Sequence, residues 1–248
     1  MTDTEELPHR ITELEAELAM RERQAADKEL QLERYAADLR ETFKQERARS
    51  QQLRESYMLT VRALASAVEA RDAYTGRHAE RVAAYGLEIA SACGMALADE
   101  PEIEFGFLLH DVGKVAVPDA ILFKPGPLTT IERAVIEQHP ITGMEIVRDI
   151  EFLGAARDVI RSHHERWDGE GYPDGLMRDA IPMSARVFAV ADTLDALTSQ
   201  RPYREASTFA EARAIIEREA GAHFDPDIID AYSNVSDARI EDICRAIG

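Results

Sequence analysis

Seven histidines occur among the 248 residues, and five of them stand beside acidic residues or beside one another. His110 and Asp111 are adjacent at the end of the apolar stretch FGFLLHD, and His163 and His164 form a second adjacent pair at the end of AARDVIRSHH. His139 closes a helical pattern before Pro140, His78 lies in the helix-start segment DAYTGRHAERV, and Asp192 sits inside the apolar AVADTLDAL. His9 and His223 have no comparable setting. Imidazole together with carboxylate suits Fe, Mn, Ni or Zn, whereas calcium takes mostly oxygen. An Asp next to a His can bridge two ions while the His binds one. A carboxylate buried in an apolar helix is strongly destabilising unless it is paired or metal-bound, which points to a cation at Asp192. Taken singly, each histidine reads as a satisfied core or surface group. The two adjacent pairs together with Asp192 favour a metal site.

These side chains need a scaffold that brings distant segments together, and the pattern is helical almost throughout from residue 57. GRHAERVAAYGLEIASACG reads as an amphipathic helix ending at Gly94, and Thr129 or Thr130 caps IERAVIEQH, which Pro140 stops. SARVFAVADTLDALTS is apolar enough for a buried helix and too poor in β-branched residues for a strand. FAEARAIIEREA and a C-terminal pair complete the set, and VAVPDAILFKPGPL, with three prolines and a glycine, reads as a loop. The expected fold class is all-α: a helical bundle over 57–248 preceded by a separate long helix over 1–56.

That N-terminal segment contains one Pro, no Gly and a dense alternation of Glu, Arg, Gln and Ala. Ile11, Leu18, Ala25, Leu32 and Leu39 recur every seventh residue, with Leu14 and Tyr35 in the partner column, as in a coiled coil. Arg21, Lys28 and Thr42 occupy seam positions and Glu46 breaks the first column. A second apolar phase through Leu53, Tyr57, Leu64 and Val68 resembles a stutter. A homodimer through this helix is expected.

A formal charge of −18, from 47 acidic and 29 basic side chains, argues against coating DNA or anionic lipid. No apolar run nears the ~20 residues of a bilayer span. MTDTEELPHRITELEAE lacks the basic start and apolar stretch of a signal peptide, so a cytoplasmic chain is expected. Cys93 and Cys244 make neither a disulfide framework nor a zinc knuckle.

In order along the chain stand HDVGK, KPGPLT, EQHPITG, HHERWDGEGYPDGL and ADTLDALTSQRPYR. Over about residues 57 to 235 this closely resembles the HD-GYP family, a branch of the HD-domain metal-dependent phosphohydrolases that cleaves cyclic di-GMP. The resemblance implies a metal site of His78, His110, Asp111, His139, His163, His164 and Asp192, with Asp111 bridging. Lys114 matches the family lysine that reaches the bridging hydroxide or a substrate phosphate, and Arg201 and Arg204 match positions that hold phosphates. The rival for the arginines is a helix C-terminus dressed with cations. Trinuclear members carry a Glu four residues before the first ligand His, and here that place is Tyr74. Two divalent ions are therefore expected, Fe or Mn ahead of Ni, Zn or Mg.

The three glycines of DGEGYPDGL permit unusual backbone angles and Pro173 stiffens the loop. Tyr172 and Trp167 would stack on guanine or pack the loop, and the sequence leaves both open. The family also links this loop to docking with GGDEF proteins. The activity implied is hydrolysis of cyclic di-GMP to pGpG, and onward to GMP in some members, by a hydroxide bridging two metals. The rivals are a non-catalytic sensor signalling through the coiled coil, a generic nucleotide phosphohydrolase, and a hydrolase of another cyclic dinucleotide such as cyclic GMP-AMP.

Overall fold

A computed structural model describes residues 3–71, 77–97, 100, 102–200 and 205–248, with the side chains of residues 3–9 outside the description. Eleven α-helices follow one another among these residues: α1 Asp3–Glu69, α2 His78–Ala92, α3 Glu102–Leu109, α4 Asp119–Leu122, α5 Thr130–Ile136, α6 His139–Val147, α7 Ala156–Ser162, α8 Met183–Thr198, α9 Phe209–Arg218, α10 Pro226–Ser233 and α11 Asp237–Ile247. No strand forms among them; Ala220 and Phe224 make one isolated bridge. The fold is all-α. The chain divides into two units, Met1–Tyr57 and Met58–Gly248.

The first unit consists of α1 up to Tyr57. Its described side chains are exposed almost throughout, including the apolar Ile11, Leu14, Leu18, Leu32, Tyr35 and Leu39. Ion pairs one turn apart, such as Arg21 with Glu17 at 2.8 Å, run along it. Each contributes only a few tenths of a kcal/mol in solvent.

The second unit has a continuous core built chiefly by α2, α3, α7 and α8. Val82, Ile89, Phe107, Val159, Ile160, Phe188 and Leu194 are fully buried. Phe107 and Phe188 bring their rings to 5.5 Å, and burying each such side chain contributes roughly 1.5–3 kcal/mol. α2 meets α3 at Gly86, where a Cβ would fall 2.5 Å from the Phe107 ring. The last turns of α1 join this core through Val61 and Ala65.

The helix ends follow local chemistry. Thr129 caps α5 and Thr208 caps α9, each in a reciprocal capping box with Glu132 or Glu211. α2 ends at Ala92, and the chain turns at Gly94 with φ 74° while the Met95 amide donates to the Ala90 carbonyl.

Two expectations change. Pro140 does not stop the helix of Thr130, which already ends at Ile136; Pro140 lies in the first turn of α6, where a missing N–H costs nothing. His139 therefore opens α6 instead of closing α5. The stretch VAVPDAILFKPGPL is not all loop, because a 3-10 turn spans Val112–Ala116 and α4 starts directly after Pro118.

Candidate metal centre

The ends of α3 and α7 and the starts of α2 and α6 converge beside the middle of α8. Two groups of potential ligands form there, Asp111 with His139, His163 and His164, and His78 with His110 and Asp192; within each, one ligand atom per residue lies within 4.8 Å of the others. All seven ligands named from the sequence are thus brought together across 115 residues of chain.

Asp111 stands between the groups. Its Oδ1 lies 3.3 Å from His139 Nε2 and 4.0 Å from His163 Nε2, and its Oδ2 lies 3.1 Å from His110 Nε2. Lys114, on the 3-10 turn that follows, places Nζ 2.8 Å from Oδ2. Burial alone would raise the pKa of Asp111, but Lys114, His110 and His139 outweigh it and hold the carboxyl well below its ordinary range. The turn can approach because residue 113 is glycine. A Cβ there would fall 1.9 Å from the His139 carbonyl oxygen.

The histidines are oriented from behind. Nδ1 of His110, His139 and His163 lies 2.9, 2.7 and 3.0 Å from the carbonyl oxygens of Phe107, Ile136 and Ile160. A carbonyl only accepts, so Nδ1 donates, and in the neutral imidazole Nε2 keeps its lone pair for the site. Nε2 of His139 and Nε2 of His163 then face each other at 3.1 Å, next to Asp111 Oδ1. Converging lone pairs and a carboxylate oxygen suit a cation, so this donor set fits a metal ion. Burial, with His164, His110 and His139 as neighbours, holds His163 well below the usual imidazole range, and burial pushes His164 down to about 3.

His78 is held differently. It is the first residue of α2, entered through Arg77 with φ 59°. Its Nδ1 lies 2.8 Å from Asp195 Oδ2 and its Nε2 lies 3.5 Å from Asp192 Oδ1. Burial opposes its charge, yet Asp195, Asp192 and Asp111 raise its pKa to about 9.

Here the sequence reading needs a correction. The deeply buried carboxylate of α8 is not Asp192, whose side chain is 31% exposed, but Asp195 at 2%. Asp195 satisfies its charge without a metal, accepting from Arg81 at 2.6 Å and from Ser199 at 3.3 Å as well as from His78. Asp192, one turn earlier, keeps a carboxylate available to the site. They stand three positions apart, so a helical period could have flagged both; the sequence gives no sign of which one faces His78.

Two further carboxylates were missed. Glu69, near the end of α1, accepts from the Ala79 amide at 2.5 Å and so caps the first turn of α2. Glu165, directly after the histidine pair, is buried and accepts from the Asp174 and Leu176 amides at 2.8 and 3.0 Å. It thereby ties the GYP loop back to the ligands it follows. The loop packs closely there, since a Cβ on Gly171 would fall 2.4 Å from the Arg166 nitrogen. Tyr172 lies against His164 with ring centroids 4.7 Å apart, and Trp167 lies under the Arg186 guanidinium at 5.7 Å. Tyr74, Arg201 and Arg204 lie outside the described residues.

A cavity of about 250 Å³ opens on the centre. Asp111, Lys114, His78, His164 and Asp192 line its polar side, and Ala65, Val68, Leu122 and Ile136 its apolar side.

The HD domain matches residues 62–228, two-thirds of the chain. The chain belongs to the HD-domain family, and its HHERWDGEGYPDGL segment is of the HD-GYP type. It is 42% identical over 187 residues to the cyclic di-GMP phosphodiesterase response regulator RpfG of Xanthomonas campestris, covering 75% of this chain and 49% of that protein. It is 41% identical over 180 residues to a 3'3'-cGAMP-specific phosphodiesterase of Vibrio cholerae, covering 72% of this chain and 34% of that one. The chain therefore spans a third to a half of these relatives. A solved cyclic GMP-AMP specific phosphodiesterase of V. cholerae shares the fold, with a TM-score of 0.55 and 18% identity over 75% of this chain and 48% of that one. No helix among the described residues is long and apolar enough to cross a membrane.

Proposed function

We propose that this chain is a metal-dependent phosphodiesterase that opens cyclic di-GMP to linear pGpG. The observation that carries the reading is the meeting of His139 Nε2, His163 Nε2 and Asp111 Oδ1, three lone-pair donors with no proton to share among them in the neutral imidazoles. One group of ligands, Asp111, His139, His163 and His164, would hold one ion, and His78, His110 and Asp192 a second, with Asp111 shared. Fe(II) or Mn(II) suits such a mixed imidazole and carboxylate set. When bound, such ions stabilise negative charge at a phosphoryl group and supply a nucleophile at neutral pH.

The chain's own residues do the rest. Lys114 faces the cavity beside Asp111 and can donate to a phosphoryl oxygen, adding positive charge where negative charge builds. Arg201 and Arg204 are proposed to hold the second phosphate through their planar guanidinium forks. Tyr172, packed against His164, is proposed to bound the guanine side of the site. With a net charge of −18 the chain repels a dianion at long range, so these local cations govern capture.

Cyclic GMP-AMP is a second reading, supported by a relative specific for it at nearly the same identity as the cyclic di-GMP enzyme. The exposed apolar side chains of α1 support a homodimer paired through that helix, and a cytoplasmic location is proposed with it.

The test is product analysis by chromatography. The full chain is reconstituted anaerobically with Mn(II) or Fe(II) and given each dinucleotide, beside Asp111→Asn. Accumulation of pGpG that vanishes in the variant is expected. Faster loss of cyclic GMP-AMP would move the substrate assignment, and tight binding of both messengers with no turnover under any metal would make the chain a sensor.

A further inference from the structure

His110, His139 and His163 each follow a helical turn whose backbone offers a carbonyl three residues back, and each donates Nδ1–H to it. His78 opens its helix, so no preceding turn of α2 offers such a carbonyl. Its Nδ1 meets a carboxylate instead, that of Asp195, 117 residues later in the sequence and on another helix. The carboxylate is itself fixed. Arg81, one turn after His78 on α2, places Nε 2.6 Å from Asp195 Oδ1 and its terminal nitrogen 3.2 Å from Oδ2. Ser199, the residue that directly follows α8, donates to Oδ2 and accepts from Arg81 at 3.1 Å.

This is more than a buried ion pair. Arg81 alone would neutralise Asp195, yet Oδ2 is turned to His78. In the neutral ring, the form that can bind a metal, that contact keeps the proton on Nδ1, and it leaves Nε2 pointing at Asp192 and the cavity. A carboxylate behind an imidazole also makes the far nitrogen a better donor to a cation.

We propose that Asp195, braced by Arg81 and Ser199, is a positioning residue for His78, fixing its tautomer and direction in place of the carbonyl that serves His110, His139 and His163. The inference rests on the reading of the centre as a metal site. It predicts that the ion held by His78, His110 and Asp192 depends on Asp195, while the ion held by Asp111, His139, His163 and His164 does not.

The test uses the full chain, stripped with chelator and titrated with Mn(II), with bound metal counted by atomic emission. Wild type should bind two ions. Asp195→Asn should keep one affinity unchanged and weaken the other about 10- to 100-fold. In a His78→Ala background, Asp195→Asn should produce no further change, because it acts through the imidazole; a purely structural role would still add its own loss. A second measurement needs no variant: nitrogen NMR of the Zn(II)-loaded wild type should find His78 metallated at Nε2 and protonated at Nδ1. Metallation at Nδ1, or an Asp195→Asn chain with wild-type stoichiometry and both affinities intact, overturns the proposal and leaves the metal site standing. A wild type that binds neither Mn(II) nor Zn(II) overturns the metal site and the proposal together.

Discussion

The two halves of the centre differ in how one of their histidines is aimed. Asp111, His139, His163 and His164 come from the ends of neighbouring helices, and at least two of their imidazoles are aimed by their own backbone carbonyls. His78, His110 and Asp192 come from α2, α3 and α8, and His78 is aimed by a side chain from across the bundle. Both groups come together only when their helices pack, but the rings of His139, His163 and His110 are aimed by local turns, whereas that of His78 is aimed only when α2 and α8 pack. One ligand direction therefore answers to a tertiary contact, and the Glu69 cap from α1 acts on the same turn of α2.

The largest effect belongs to the residue shared by both halves. Asp111→Asn should lower cyclic di-GMP turnover by about 10³-fold, since charge stabilisation by the ions is worth several kcal/mol. Retention of a tenth of the wild-type rate, measured by chromatography, would show that the halves do not share Asp111.

The halves should also differ in charge. In the chelated chain, imidazole NMR should find His78 titrating near 9 and His164 near 3. The signs follow. His78 is raised above its unfolded value of 6.5, so its contribution to stability is full below about that pH and is lost as the pH rises through about 9. His164 is lowered, so it opposes folding as the pH falls from 6.5 towards about 3. Equal titration of the two near 6.5 would erase the contrast.

Gly113→Ala strikes the first half through its backbone. Its Cβ would overlap the His139 carbonyl, and overpacking of this kind costs about 1–3 kcal/mol or more. A melting point lowered by about 2–4 °C for each kcal/mol is expected. Glu165→Gln should loosen the GYP loop at a cost of about 1–3 kcal/mol, read as faster proteolytic nicking between residues 169 and 176. Glu69→Gln has the smallest effect, about 0.5–1 kcal/mol of helix capping. It should weaken Mn(II) at the His78 group and leave the other group unchanged; equal weakening at both would end the idea that α1 reaches only one half.

How much of this was legible beforehand varies by element. The start of α5 is legible because Thr129 is one of the two candidate caps and its contact with Glu132 lies within four residues; the same box of Thr208 with Glu211 at the start of α9 is seen only in the structure. The start of α6 was misread because a proline signals a helix start and a helix stop with the same residue, and only the surrounding chain distinguishes them. The loop over 115–128 hid a short helix because α4 has a single turn, too short to leave a periodic pattern.

By itself the sequence determined the helical class, and it offered the seven candidate ligands and Lys114 through the resemblance of its ordered motifs to the HD-GYP family. The class depends on residue type and short spacing, which chain order preserves. Tertiary structure alone decided how the ligands divide into two groups, that Asp195 and not Asp192 is the carboxylate buried behind His78, and that Glu165 and Glu69 hold the loop and the first turn of α2. The reason is physical. Whether a carboxylate on α8 faces a cavity or an arginine depends on the rotation of that helix against α2, and that rotation is set by the packing of Phe107, Phe188 and their neighbours, not by any residue near Asp195 in the chain.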